Sequence, residues 1–193
     1  MKTWHKRAII IIVIIGIIVC VKSCIDKKDA DITLAYIGEG FVDRVAFDEN
    51  KDELLNVCTD VNSDGEKCVE IMEISFNQSL SPADKDNSDK KLANALGAGV
   101  ARVYFIEEKY VMANASKGVF EPLDNLGDGF KNSNGEVVAI NITGNEKLAK
   151  MGIDTDKDLY LAVRVVSEMD IVLDKNIDKK HKMAMDIAEY ILS

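Results

Sequence analysis

The chain reads as an α/β domain built on a mainly parallel, five-stranded sheet with helices on both faces. Three observations predict this. Runs rich in β-branched and aromatic residues recur at 32–37, 69–76, 103–106, 137–142 and 159–166. Segments of helical spacing separate the first strands, which calls for right-handed parallel crossovers. In Val69–Phe76 both alternating positions are partly apolar, as in a sheet covered on two sides. The organisation expected is an anchor at 1–25, a tether at 26–31 and an α/β body at 32–193.

The anchor rests on Ala8–Val21, 14 residues without a polar side chain. As a helix these span roughly 21 Å, short of the ~30 Å hydrocarbon core. Letting Lys22 snorkel and counting to Ile25 extends the span to roughly 27 Å, enough with slight thinning. Trp4 stands where an interfacial aromatic belongs, and Lys2, Lys6 and Arg7 precede the run. The positive-inside rule then keeps the amino terminus in the cytoplasm and puts the body outside, as a single-pass protein of the cell membrane. A cleaved signal peptide competes with this, but no Ala-x-Ala site follows the run. Val21-Lys-Ser-Cys24 resembles a lipoprotein processing site, from which Lys22 departs. Cys58 and Cys68 flank a turn outside the membrane; a disulfide and two small buried thiols both fit.

Charge sharpens the division. Residues 1–25 hold four basic residues and no acid, which leaves the remainder with 20 basic and 33 acidic residues, a net of −13. Such a body repels nucleic acid and anionic headgroups and suits cations, basic partners or simple solvation.

In the body, Ile32–Ile37 is the opening strand, ending at Gly38-Glu-Gly40. That G-x-G lacks the third glycine of a dinucleotide fingerprint. Leu54, Leu55 and Cys58 mark a helix with Asp48 as its cap. Residues 79–88 are polar loop or frayed helix, and Leu92, Ala95 and Leu96 give a helical face closed by Gly97 and Gly99. Val103–Ile106 is a buried strand. Glu107 and Glu108 open the next helix, where carboxylates suit the unpaired N–H groups. Gly118 is a left-handed stop and Pro122 bars continuation. Residues 126–135, rich in glycine and asparagine, are loop. Strand 137–142, a helical turn at 146–151 and strand 159–166 follow. The last helix carries Ile177, Ala184, Ile187, Ala188 and Ile191 on one face.

On these residues the chain resembles the first lobe of bacterial extracellular solute-binding proteins, the receptors of ABC importers. Ile32-Thr-Leu-Ala-Tyr-Ile37 is similar to their opening strand, and Leu92–Gly99 to the helix before their third strand. Val103-Tyr-Phe-Ile-Glu107, with Gly118-Val-Phe-Glu-Pro-Leu-Asp124 after a helix, resembles their signature for that region. Residues 135–166 resemble short membrane-anchored relatives with a truncated end. The resemblance covers roughly residues 30–190 and implies a single periplasmic-binding-protein-like lobe. Only about 165 residues follow the anchor, too few for the two lobes of a clamshell receptor at 100–150 residues each.

Two site hypotheses follow. Asp60-x-Asn62-x-Asp64-Gly65 has the spacing of a calcium loop, with Glu66 and Glu70 as further carboxylates. Its twelfth position is Ile71 where a bidentate acid belongs, and an Asx-type turn uses the same residues without metal. Independently, open parallel sheets bind ligands beyond the carboxyl ends of their strands. Those ends carry Glu39, Asn77, Gln78 and Glu107, an acidic and amide-rich edge suited to a cation, an amine or a hydroxylated solute. The alternative is that these groups only cap helices and finish loops. No Cys–His or Ser–His–Asp spacing appears, with histidines only at 5 and 181, so an enzyme is not expected. The reading is a membrane-anchored, non-catalytic extracytoplasmic binding module needing no cofactor, with calcium as the one candidate ion. Its partner would be a small polar or cationic solute or a membrane protein complex. The alternative is a cell-envelope structural or interaction domain without a small ligand. Protease added to intact cells is expected to digest the body; a protected body would overturn the topology.

Overall fold

Every residue of the central strand is buried, and the rest of the chain is arranged to cover it. The computed structural model describes residues 30–77 and 79–193. Strands β1 (Ile32–Gly38), β2 (Val69–Ser75), β3 (Val103–Glu107), β4 (Phe130–Lys131), β5 (Val137–Asn141) and β6 (Leu159–Val163) form one six-stranded sheet in the order β2-β1-β3-β6-β5-β4. Helices α1 (Arg44–Asn50), α2 (Asp52–Val57), α3 (Pro82–Gly97), α4 (Glu108–Asn114), α5 (Glu146–Lys150), α6 (Glu168–Leu173) and α7 (Ile177–Leu192) complete it.

The α/β class holds, but the sheet is mixed and six-stranded rather than mainly parallel and five-stranded. β1 pairs in parallel with β2 and β3, whereas β6 runs antiparallel to both β3 and β5. The reason lies in α5. Five helical residues span about 7.5 Å, less than half of a five-residue strand at about 3.3 Å per residue. The chain is not carried back across the sheet after β5, so it returns downward as β6. The sixth strand, β4, lies in the stretch expected to be loop. It pairs antiparallel with β5 through a turn at Asn132–Gly135.

The helices divide between the two faces. Ile32, Leu34 and Tyr36 of β1 pack with Phe47, Leu54, Leu148 and the apolar face of α7. Ala35 and Ile37 point the other way, toward Ala95 and Leu96 of α3, Val111 of α4 and Ala115 just after it. The last-helix stripe predicted from spacing is buried as expected. The single helix expected from Asp48 onward is two: Leu54 and Leu55 lie on α2, whose N-cap is Lys51, and Asp48 is inside α1, which Asp43 caps, accepting from Val45 and Ala46 N–H at 3.0 and 3.1 Å. The polar stretch 79–88 is largely helix, because Ser81 caps α3 and Pro82 occupies its first turn. Gly118 has φ +66°, the left-handed stop expected of it.

Asp31, which the charged run assigns to the tether, is fully buried. Its carboxylate accepts from Val61 N–H (2.7 Å), Asn62 N–H (3.1 Å) and Cys68 N–H (2.8 Å). Cys58 and Cys68 are free thiols rather than a disulfide. Burial pushes Cys58 up to about 12 and raises Cys68 as well. No helix among the described residues is long and apolar enough to cross a membrane, and the anchor at 8–25 lies outside them.

At the amino edge of β3 sits a buried ionic cluster. Asp170 of α6 pairs with Arg164, and Arg102 stands 3.2 Å from its other oxygen. Arg164 also donates to Leu96 O and Gly97 O at 3.1 Å each, closing the carboxyl end of α3. Burial alone would raise the Asp170 carboxyl. The N–H and hydroxyl of Ser167 and the guanidiniums of Arg164 and Arg102 outweigh it and hold the group well below the carboxylate range. Asp170 therefore stabilises the fold fully above the unfolded-state value of about 3.9, and this contribution is lost as pH falls toward the folded-state value. Asp170→Asn should remove about 3–5 kcal/mol at neutral pH, since it leaves two buried guanidiniums without their counter-ion. Urea unfolding checks this, and the variant should also lose stability less steeply below about pH 4 than the parent. Equal acid profiles would refute the assignment.

Candidate functional site

The carboxyl ends of β1, β2 and β3 meet at one edge, and two features are built there. The first is the turn Gly38-Glu39-Gly40. Glu107, the last residue of β3, points back into it rather than outward as the opening residue of α4. Its Oε1 accepts from Glu39 N–H (2.7 Å), Gly40 N–H (3.2 Å) and the Tyr36 hydroxyl (3.4 Å). The packing is close enough that a Cβ at Gly38 would stand 2.4 Å from that oxygen. Burial, then the Glu107 and Asp154 carboxylates, push the Tyr36 hydroxyl well above its usual range, so it stays protonated and donating. Glu107 is buried and positions the turn.

The second feature is a cleft of about 620 Å³ beside that turn. Phe76, just past β2, stacks on Tyr110 of α4 with ring centroids 4.6 Å apart. Leu80, Pro82 and Ala113 add apolar wall, and Lys85 and Asp89 of α3 close one side. Glu39 and Lys109 form an ion pair at the mouth. The Lys109 ammonium, also 4.9 Å from the Tyr110 ring centroid, holds the Glu39 carboxyl below its usual range. Partial burial alone would lower Lys109, but its bonds to Glu39 and Tyr110 raise it. The Tyr110 hydroxyl is raised by its own burial in spite of that lysine. Both partners of the pair are thus charged at neutral pH.

Of the four residues proposed for this edge, the structure brings Glu39 and Asn77 together along the cleft. Glu107 lies beneath it, and Gln78 lies outside the described residues. Asn77 Oδ1 accepts from the Ser79 N–H and hydroxyl at 3.0 Å each, so part of its capacity finishes the loop. The edge is less acidic than its strand ends suggest. Among the lining residues, Glu39 and Asp89 are balanced by Lys85 and Lys109. Phe76, Lys85, Lys109 and Tyr110 were not singled out by residue type. Their only signal is position, directly after a strand end or one helical turn into the helices flanking it. A groove of similar size, about 600 Å³, lies along β2 and α3, but Leu80 is its one apolar lining residue and it has no aromatic wall. The aromatic wall and the convergence of three strand ends single out the first cleft.

The 60–65 loop uses its oxygens on its own backbone. Asp60 accepts from Ser63 N–H (2.6 Å) and Gly65 N–H (2.9 Å). Asn62 Oδ1 accepts from Asp64 N–H, and Asp64 Oδ1 from Glu66 N–H, both at 2.9 Å. Ser63 and Gly65 take left-handed backbone, φ +63° and +91°. Glu70 is apart from these, on β2 opposite Thr33. Among the described residues no group of three or more His, Cys, Asp or Glu side chains is disposed as a metal site.

No protein-family model, curated protein or solved structure matches the chain.

The tight fit of Glu107 under the turn is testable by a double-mutant cycle. Glu107→Ala should cost about 1–3 kcal/mol by orphaning two amides. Gly38→Ala should cost more in the parent than in the Glu107→Ala background, with a coupling of about 0.5–3 kcal/mol. Additive losses in urea unfolding would show that the two do not compete for space.

Proposed function

We propose that the chain is a non-catalytic, membrane-anchored binding module whose body faces the extracytoplasmic side and holds a small zwitterionic or hydroxylated solute. The observation that carries this reading is the cleft at the carboxyl edge. It offers an aromatic platform, Phe76 on Tyr110, beside groups of both signs and the amide of Asn77. A flat or apolar part of a solute rests on the rings. Its charged or hydroxyl groups meet Lys109 and Glu39 at one end and Lys85 and Asp89 at the other. Paired opposite charges favour a solute that carries both signs over a simple cation or anion, since either alone would leave one protein charge opposed by its like. The membrane part of the reading rests on the uncharged run 8–21 and the basic residues before it. The body's net of −13 supports the absence of a nucleic-acid partner. The resemblance of residues 32–37, 92–99 and 103–124 to a solute-binding lobe, an expectation from the sequence alone, points to a small solute as well.

The reading is tested on the full chain in detergent, by thermal shift against amino acids, amines, sugars and calcium. A ligand at a hundred times its dissociation constant adds about 2.7 kcal/mol, a clear shift. Lys109→Ala removes a pair that solvent screens, and it should abolish the shift while the unliganded protein melts nearly as before. Silence across the panel would instead favour an envelope interaction domain. In the same titration, a calcium shift lost in the Asp60→Ala/Asp64→Ala double variant would assign the ion to that loop. One that survives would exclude the loop.

A further inference from the structure

Helix α6 is turned inside out. Its only buried residue is Asp170, which holds it to Arg102 and Arg164. Its large apolar residues Met169, Ile171, Val172 and Leu173 are 60–78% exposed. A helix that turned its apolar face to the core would bury these four and expose the aspartate. Val100, also half exposed, adds to the patch: a Cβ at its neighbour Gly99 would stand 2.8 Å from Asp170 Oδ1. Single exposed apolar side chains are ordinary, but a contiguous group on one short element marks a contact surface.

Its place in the fold says what covers it. Arg102 N–H donates to Thr33 O, and Arg164 N–H donates to Arg102 O. The cluster that carries α6 therefore sits beside the start of β1, at the edge where the chain enters the body at Ala30 and Asp31. With Lys22 snorkelling, the anchor expected from the sequence extends to Ile25, five residues before Ala30. Five residues reach at most roughly 18 Å when fully extended. An anchor in a bilayer thus keeps this edge of the body close to the headgroups, and α6 with it. The exposed charged side chains that flank this face are mixed, Glu168 and Asp178 against Lys175 and Lys179, so it is locally close to neutral although the body as a whole is acidic.

We propose that the exposed face of α6 lies in the interfacial region of the same bilayer that residues 8–25 enter, fixing the body so that the cleft edge points away from the membrane. This rests on the anchored reading above. The occupant is lipid, with acyl and glycerol groups receiving Met169, Ile171, Val172 and Leu173 as the apolar face of an interfacial helix.

The test reconstitutes the full chain in phosphatidylcholine vesicles whose acyl chains are brominated near the glycerol, which quench tryptophan on contact. The parent's single tryptophan, Trp4, reports on the anchor. In a Trp4→Phe background, Leu173→Trp reports on the patch and Phe41→Trp, an exposed position on the opposite edge, is the control. Quenching of most of the Leu173→Trp emission, with Phe41→Trp unaffected, is the expected result. Quenched Trp4 with unquenched Leu173→Trp would keep the anchor and overturn the patch. A blue-shifted but unquenched Leu173→Trp would also overturn it, showing that a second copy or the chain itself covers the face. Failure of the parent to float with vesicles would overturn both readings. Leu173 is exposed, so the substitution leaves the core unchanged, and a matching thermal melt verifies this.

Discussion

Asp170 draws two guanidiniums out of water, and the placement of four elements depends on that contact. Arg102 leads into β3, Arg164 leaves β6, and the Arg164 side chain also takes the last free carbonyls of α3. Strands β3 and β6 run in opposite directions, so their amino and carboxyl ends coincide at this edge. Without a counter-ion, two like charges would meet there with almost no solvent. One carboxylate, fixed by the Ser167 capping box, makes the antiparallel neighbour tolerable in the middle of the sheet. The same contact leaves α6 with no apolar anchorage to the core, so its greasy side faces outward.

The opposite edge is shaped by a carboxylate too, but one with backbone partners. Glu107 gathers the amides of Glu39 and Gly40 under the end of β3. It thereby sets the height of the turn that bears Glu39, and with it the Glu39–Lys109 pair at the mouth of the cleft. The chemistry available to a ligand comes from the residues after the strands. Phe76 follows β2, and Lys109 and Tyr110 lie in the first turn of α4. The edge therefore joins buried strand ends to a rim of partly exposed side chains.

Much of this was readable before any coordinates. The five apolar runs are strands, the glycine at 118 ends its helix, and the apolar stripe of α7 is core. Strand direction was not readable, because it depends on whether a connection spans the sheet, and α5 is too short to do so. β4 has two residues and no alternation to detect. Asp48 looks like a cap by residue type, but it is interior to the helix that Asp43 caps, and the helix with Leu54 and Leu55 starts after Lys51, which makes no side-chain cap. The carboxylates at 39 and 107 look alike in a sequence. One is at a cleft mouth and the other is a buried acceptor, a difference of tertiary position that no local pattern records. α6 was invisible for a related reason. Its apolar residues satisfy no core-facing period, so nothing in the segment marks a helix.

The three backbone N–H groups that donate hydrogen bonds to the Asp31 carboxylate have a mechanical meaning. The chain enters the body at this point and passes at once into β1, which is hydrogen-bonded in parallel to a neighbour on each side. Tension applied from the amino-terminal end would run along that strand and load its two ladders in shear, many bonds together, rather than peeling them open one by one. The Asp31 carboxylate, clamped to the 61–68 segment, takes the first share of the pull and spreads it into β2. A domain joined to its surroundings through this residue is suited to being tugged without coming apart.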